Sequence, residues 1–261
     1  FNNHWGVPLT LARMPENTDY GIFEVGMNHA NEIRPLVSMV RPHIAVITTI
    51  APAHLGNFRN LEEIAAAKAE IFEGVVPGGH AILNRDNEQF GFLEKAARAV
   101  GVAHIHSFGA AADAEFRLLD FISGPDGGLL RASVGGQTLE VPMGAPGRHI
   151  AENAVAVLGA VHLAGGDIEK AMAGLATMQP EKGRGRRYQL AKDGGWFTLI
   201  DESYNANPAS MGAAIALLRD TEPYGSGRRI AVLGDMLEMG EHSQAVHAGL
   251  VGPLLESGIG T

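Results

Sequence analysis

The chain has 261 residues, 46% of them hydrophobic, with a net charge of -9 and no cysteine. Basic residues scattered on an acidic background exclude the concentrated basic face that nucleic-acid binding needs, and the lack of cysteine excludes a disulfide framework and thiolate chemistry, as suits a reducing cytoplasmic setting. No stretch of about 18 apolar residues could span a bilayer, and no charged-then-apolar start marks a signal peptide, so neither nucleic acid nor membrane is expected as a partner.

The chain opens "FNNHWGVPLTL" without Met and is expected to begin inside a longer protein. Short apolar runs then alternate with helical patterns: "YGIFEVG" (20–26), a helix near 30–40, "IAVITTI" (44–50), a helix over about 60–75, "HAILN" (80–84), a helix near 87–100 and "AHIHSF" (103–108). Such alternation predicts an α/β fold with a mostly parallel sheet flanked by helices. From 115 to 142, "FRLLDFI", "GLLRASV" and "QTLEVPM" are separated by Gly-rich turns and predict a short antiparallel section.

A helix follows "GAPGRH" over about 150–164, and Asp167 is placed to cap the next one. "PEKGRGRR" (180–187) reads as a flexible basic linker. Beyond it "WFTLID" (196–201), a helix opened by "NPASM", "RRIAVLG" (228–234) and a helix from about 241 begin a second, Rossmann-like α/β unit. The expected domains are 1–190 and 191–261.

Three side chains stand out by position. Glu24 ends "GIFEV", and the carboxyl ends of strands are where open α/β sheets bind ligands; a solvated or helix-capping carboxylate is the alternative. His54 lies in the loop after "IAVITTI", as a ligand or as an ordinary solvated histidine. Lys68 falls on the apolar stripe of its helix, with Leu61, Ile64, Ala65, Ile71 and Phe72. It either snorkels to the rim of the core or loses its proton through desolvation, and a neutral amine can add carbon dioxide to give a carbamate, an anion suited to a hard metal ion. "GRGRR" offers arginines to a phosphate but lacks the strand–loop–helix context of a P-loop, and no "GK" dipeptide occurs. His242 and His247, with Glu238 and Glu241, fit no zinc spacing and read as a polar loop and helix face.

Seven blocks taken together resemble the Mur ligase family, most closely its D-alanyl-D-alanine-adding type: "NNHWGVPLTL", "EVGMNHANEI", "ITTIAPAHLGNF", "AKAEIFEG", "GRHIAENAVA", "DESYNANPASM" and "LGDMLEMG". The resemblance implies a monomeric cytoplasmic enzyme that uses ATP and Mg²⁺ to join D-alanyl-D-alanine to UDP-MurNAc-tripeptide through an acyl phosphate, in peptidoglycan precursor synthesis. It implies that residues 1–190 are a P-loop NTPase-like central ATPase domain lacking its P-loop, expected to be inactive alone. Another Mur ligase, a folylpolyglutamate synthase-like ligase or a non-catalytic nucleotide-binding module are the alternatives.

By the same resemblance Glu24 and His54 bind Mg²⁺, and Lys68, as a carbamate, serves the second metal, the three forming the catalytic group. Asn153 meets the adenine, Arg184 the phosphates (with Arg186 as the other candidate) and Asp201 the ribose, while Asn2 and Asn3 lie toward the substrate. Domain closure is expected, since these contacts flank the stretch 180–195. The sequence departs from the family pattern at Ala51, Gly56 and Ile150, none of them a proposed ligand.

Overall fold

The computed structural model describes residues 2–52, 56–124 and 127–259. Among these, four strands run parallel in chain order, β1 (Ile44–Ile47), β2 (His80–Asn84), β3 (His104–Gly109) and β4 (Phe116–Gly124), and β5 (Gly127–Val134) and β6 (Gln137–Met143) extend the same sheet antiparallel. Parallel neighbours require a crossover. Helix α3 (Leu61–Ala69) and the 3₁₀ turn Glu70–Gly74 supply it between β1 and β2, and α4 (Phe90–Ala99) between β2 and β3. Between β3 and β4 only residues 110–115 intervene, because the pairing covers just Phe108↔Phe116 and Gly109↔Arg117. The chain therefore sidesteps by one strand without returning to the far edge. The Asp86 carboxylate fixes this jog by accepting from the amides of Ala110 (2.5 Å) and Ala111 (2.8 Å).

Alternation along the strands divides the core. Ala45, Ile47, Ala81 and Leu83 face the layer containing α2 (Ile33–Val40), α3 and α4. Ile44, Val46 and Ile82 face the other layer, with Phe108 and Phe116 against α5 (Arg148–Leu163) and α6 (Ile168–Thr177). The side-chain period of two in a strand makes both faces apolar, as a sheet covered on two sides requires. Asp167 caps α6 as expected, accepting from the amide of Lys170 at 3.0 Å.

The second unit starts with a separate hairpin, β7 (Arg186–Lys192) and β8 (Gly195–Asp201), turned by Asp193 and Gly194, both at positive φ as a two-residue primed turn demands. Helix α7 (Pro208–Asp220) follows with a full capping box from Asn207 and Ser210. Then come two short helices, α8 (Ser243–Ala248) and α9 (Val251–Glu256), around a small cluster of Ile215, Met236, Met239 and Leu250. At the other end of the chain α1 itself spans Gly6–Arg13. No helix among the described residues is long and apolar enough to cross a membrane.

Two local expectations fail. Residues 20–26 form no strand: Val25 and Met27 pack against the core, but Ile22 is 93% exposed and the Gly26 amide bonds to the carbonyl of Asn2 in place of a ladder. Residues 228–234 give one isolated bridge at Ile230, with Val232 93% exposed. In both the apolar run has strand character but no neighbouring strand among the described residues to complete its hydrogen bonds. Within the expected linker, residues 182–185 form a turn that leads into β7.

Candidate functional site

The loop leaving β1 lies over the carboxyl ends of the strands, where Asn84, the last residue of β2, donates from its side chain to the carbonyl of Thr48 (2.8 Å) and Asn87 donates to that of Ile50 (2.9 Å). That loop delivers the chain to α3, whose N-cap Asn60 accepts from the amide of Glu63 at 2.9 Å. His54, within the loop, lies outside the described residues. Seven residues into α3 comes Lys68, half-buried beside the fully buried Ala65 and Ala67. Burial holds its amine below the ordinary lysine pKa, and the carboxylate of Glu24 opposes that shift.

Glu24 is exposed, and its Oε1 accepts from the side-chain amide of Asn2 at 2.8 Å. Asn2 holds the same segment a second time through its carbonyl, which accepts from the Gly26 amide at 2.8 Å. A side chain at position 26 would collide with the Asn2 amide at 2.7 Å, so the glycine permits this close approach. The structure thus pairs Asn2 with Glu24, whose charge acts on the Lys68 amine. Asn3 plays a different part: its Oδ1 accepts from the amides of Trp5 (3.1 Å) and Gly6 (3.0 Å), closing the first turn of α1.

A second group forms where "KGRGRR" meets β8. Asp201 accepts from the Gly183 amide through Oδ2 (3.2 Å) and from the Ser203 hydroxyl (2.6 Å) and amide (3.2 Å) through Oδ1, while its carbonyl accepts from the Gly185 amide (2.9 Å). These bonds, led by the Ser203 hydroxyl, lower the pKa of Asp201. Gly183 and Gly185 sit at φ 78° and 87°, and a Cβ on Gly183 would lie 2.9 Å from the Tyr204 backbone nitrogen. Between them Arg184 is exposed and lies over the ring of Tyr204, 4.3 Å from its centroid. Burial and the charge of Asp201 raise the pKa of the neighbouring Glu202, against the pull of Arg184.

Asn153, on the second turn of α5, is exposed and shares no hydrogen bond with either group among the described residues. Ile150, the departure next to it, packs against the core. His247 is structural: Nδ1 donates to the carbonyl of Ser243 (2.7 Å) and Nε2 accepts from the Met236 amide (3.0 Å). Among the described residues no three His, Cys, Asp or Glu side chains converge on a metal position. Sequence reasoning missed Glu70, 3% exposed at the end of α3; its signal was the one that marked Lys68, a charge two residues on in the same apolar block "AKAEIF".

Two family models match: the Mur ligase middle domain over residues 1–161 and the Mur ligase glutamate ligase domain over 186–259. The UDP-N-acetylmuramoyl-tripeptide–D-alanyl-D-alanine ligase of Rickettsia prowazekii is 34% identical over 258 residues, 99% of this chain and 56% of that protein. The enzyme of the same name from Escherichia coli is 35% identical over 247 residues, 94% of this chain and 52% of that protein. A crystal structure of MurF from Acinetobacter baumannii superposes with a TM-score of 0.86 at 31% identity, covering 95% of this chain and 52% of that one. The chain spans about half the length of the curated relatives it matches.

Proposed function

The chain belongs to the Mur ligase family, and from that premise we propose that it is part of a cytoplasmic UDP-N-acetylmuramoyl-tripeptide–D-alanyl-D-alanine ligase. The carboxylate that ends the UDP-MurNAc-tripeptide attacks the γ-phosphorus of ATP, releasing ADP and forming an acyl phosphate. The amine of D-alanyl-D-alanine adds to that carbonyl, and the tetrahedral intermediate expels phosphate to leave the amide. Activation is needed because a carboxylate is a poor electrophile until phosphate replaces oxide as its leaving group.

The observation that carries this reading is Lys68, a half-buried amine with lowered pKa facing Glu24. Glu24, His54 and Lys68, the last as a carbamate, would hold Mg²⁺, which when bound offsets the negative charge of the transferring phosphoryl group. The donor chemistry fits, because Mg²⁺ is taken by one or two carboxylates and keeps its other positions for water and phosphate oxygens. Loss of the Lys68 proton leaves the lone pair that adds to carbon dioxide, with release of a second proton. The Asn2 amide orients Glu24. Arg184, presented by its two glycines and Asp201, reaches the nucleotide phosphates, with Asp201 at the ribose and Asn153 at the adenine. Asn2 and Asn3 mark the substrate end. We draw the domain division ahead of β7, near residue 185, in place of the expected 190, since a boundary at 190 would cut the β7–β8 ladder.

The test is phosphate release from ATP by the complete protein, dependent on both UDP-MurNAc-tripeptide and D-alanyl-D-alanine. Lys68→Ala is expected to lower kcat by about 10²–10³, the range for loss of one electrostatic group at the reacting centre, without rescue by bicarbonate. Turnover that ignores D-alanyl-D-alanine would refute the acceptor, and undiminished turnover by Lys68→Ala would refute the carbamate.

A further inference from the structure

Glu70 is the one buried charged side chain among the described residues, at 3% exposure. A carboxylate withdrawn from water is tolerated only where hydrogen bonds and opposite charge replace the lost hydration. Its replacements come from one place. Oε1 accepts from the amide of Asn31 at 2.6 Å, Oε2 from the amide of Arg34 at 3.3 Å, and the Arg34 guanidinium lies 3.4 Å from Oε1. Arg34 also bonds Glu73 through Nε at 2.8 Å, so the pair is anchored on both sides.

Asn31 and Arg34 flank the start of α2, whose own N-cap, Glu32, makes no capping bond because its carboxylate accepts from the amides of Asn28 (2.7 Å) and His29 (3.2 Å). The unpaired amides at a helix start need an acceptor and favour a negative charge. Glu70 supplies both from another helix. Asn31 is held at φ 71°, a left-handed conformation that persists where surrounding contacts over-determine it.

The segment from Glu24 to Arg34 is therefore latched twice, upstream by Asn2 on Glu24 and Gly26 and downstream by Glu70 on Asn31 and Arg34. The downstream latch stands two residues after Lys68, on the 3₁₀ turn that continues α3 without a break. We propose that Glu70 is a positioning residue: its buried carboxylate caps α2 from outside and so fixes the Glu24 segment against the helix that carries Lys68. The geometric claim is independent of the reaction, but its catalytic meaning rests on the reading that Glu24 and Lys68 act together on the metal.

The absence of cysteine from this chain favours a cross-linking test. In the complete protein, with any cysteine outside this chain replaced by serine, Glu24→Cys with Lys68→Cys is treated with a short bis-maleimide, and intramolecular cross-link yield is compared with and without Glu70→Gln. Glutamine keeps the size but offers one acceptor and an amide that faces two donors, so yield is expected to fall several-fold while circular dichroism stays native. In the enzyme without the cysteines, Glu70→Gln is expected to raise the KM for Mg²⁺ about tenfold, with kcat recovering at saturating Mg²⁺.

An unchanged cross-link yield in folded Glu70→Gln overturns the proposal. If Glu70→Gln fails to fold, Glu70→Asp, one methylene shorter, replaces it under the same criterion; failure of both to fold assigns Glu70 to core stability alone and also overturns it. A fall in cross-linking, together with no ligation by the complete protein that retains Glu24, Lys68 and Glu70, would support the latch and count against the enzyme reading.

Discussion

At the scale of single residues, positive-φ glycines serve different ends, and their substitution separates them. Gly109 ends β3 at φ 144°, and a Cβ there would lie 2.5 Å from the Asp86 oxygen that holds the jog to β4. Gly78 has φ 79° with open space around it. Gly78→Ala is expected to cost about 1 kcal/mol, the conformational penalty alone. Gly109→Ala should cost about 2–4 kcal/mol, because displacing Asp86 also orphans the amides of Ala110 and Ala111. Urea denaturation midpoints of the two variants check this, and equal losses would mean that the Asp86 contact contributes nothing. Lys68 belongs to this scale too. Its place on the apolar stripe was legible from helical phase, and Glu24 from its position and the family resemblance, whereas the Asn2–Glu24 bond was not, since it joins residues 22 apart through a loop with no periodicity.

Among elements, legibility followed the completeness of the hydrogen-bonding partner. "HAILN" became β2 over the same five residues, and β4, β5, β6 and α5 appeared where periodicity and turns put them, though β4 also pairs with β3 in parallel. The runs at 20–26 and 228–234 have equally strong strand composition, but a strand is a pairwise object, and composition does not reveal whether a neighbour will be there. At 180–187 the charges suggested a solvated linker, and composition did not reveal the backbone amides that bond to Asp201, 16 and 18 residues away. Helix α3, the carrier of Lys68, depends on its cap. Asn60→Ala is expected to lower stability by about 1 kcal/mol, with a larger rise in amide exchange over residues 61–65 than over α4. Uniform exchange changes across both helices would argue against a local capping role.

For the whole molecule, the end of the sheet opposite the β1 loop carries a different chemistry. His80 and His104 begin β2 and β3 with stacked rings, 4.9 Å between centroids. His80 Nδ1 lies 2.9 Å from His106 Nε2, and His106 Nδ1 lies 2.9 Å from Glu115. Burial, then the charges of His106 and His104, push the His80 pKa below its ordinary 6.5, against Glu115. The unfolded chain therefore binds this proton more readily than the folded one, so the stability it contributes is present above about pH 6.5 and is lost as pH falls through the folded pKa. Melting temperature is expected to drop from pH 7.5 to pH 5.5, and His80→Asn should flatten that slope; an equal slope in the variant would exclude His80 as its source. At the site end, the Gly56 amide donates to the carbonyl of Glu238 at 2.8 Å, and a Cβ on Gly56 would stand 3.3 Å from that oxygen. That bond joins residues far apart in the chain, and contacts of such sequence separation are the slow ones to form. The loop after β1 thus gains this tether only once the distant segment around residue 238 has arrived.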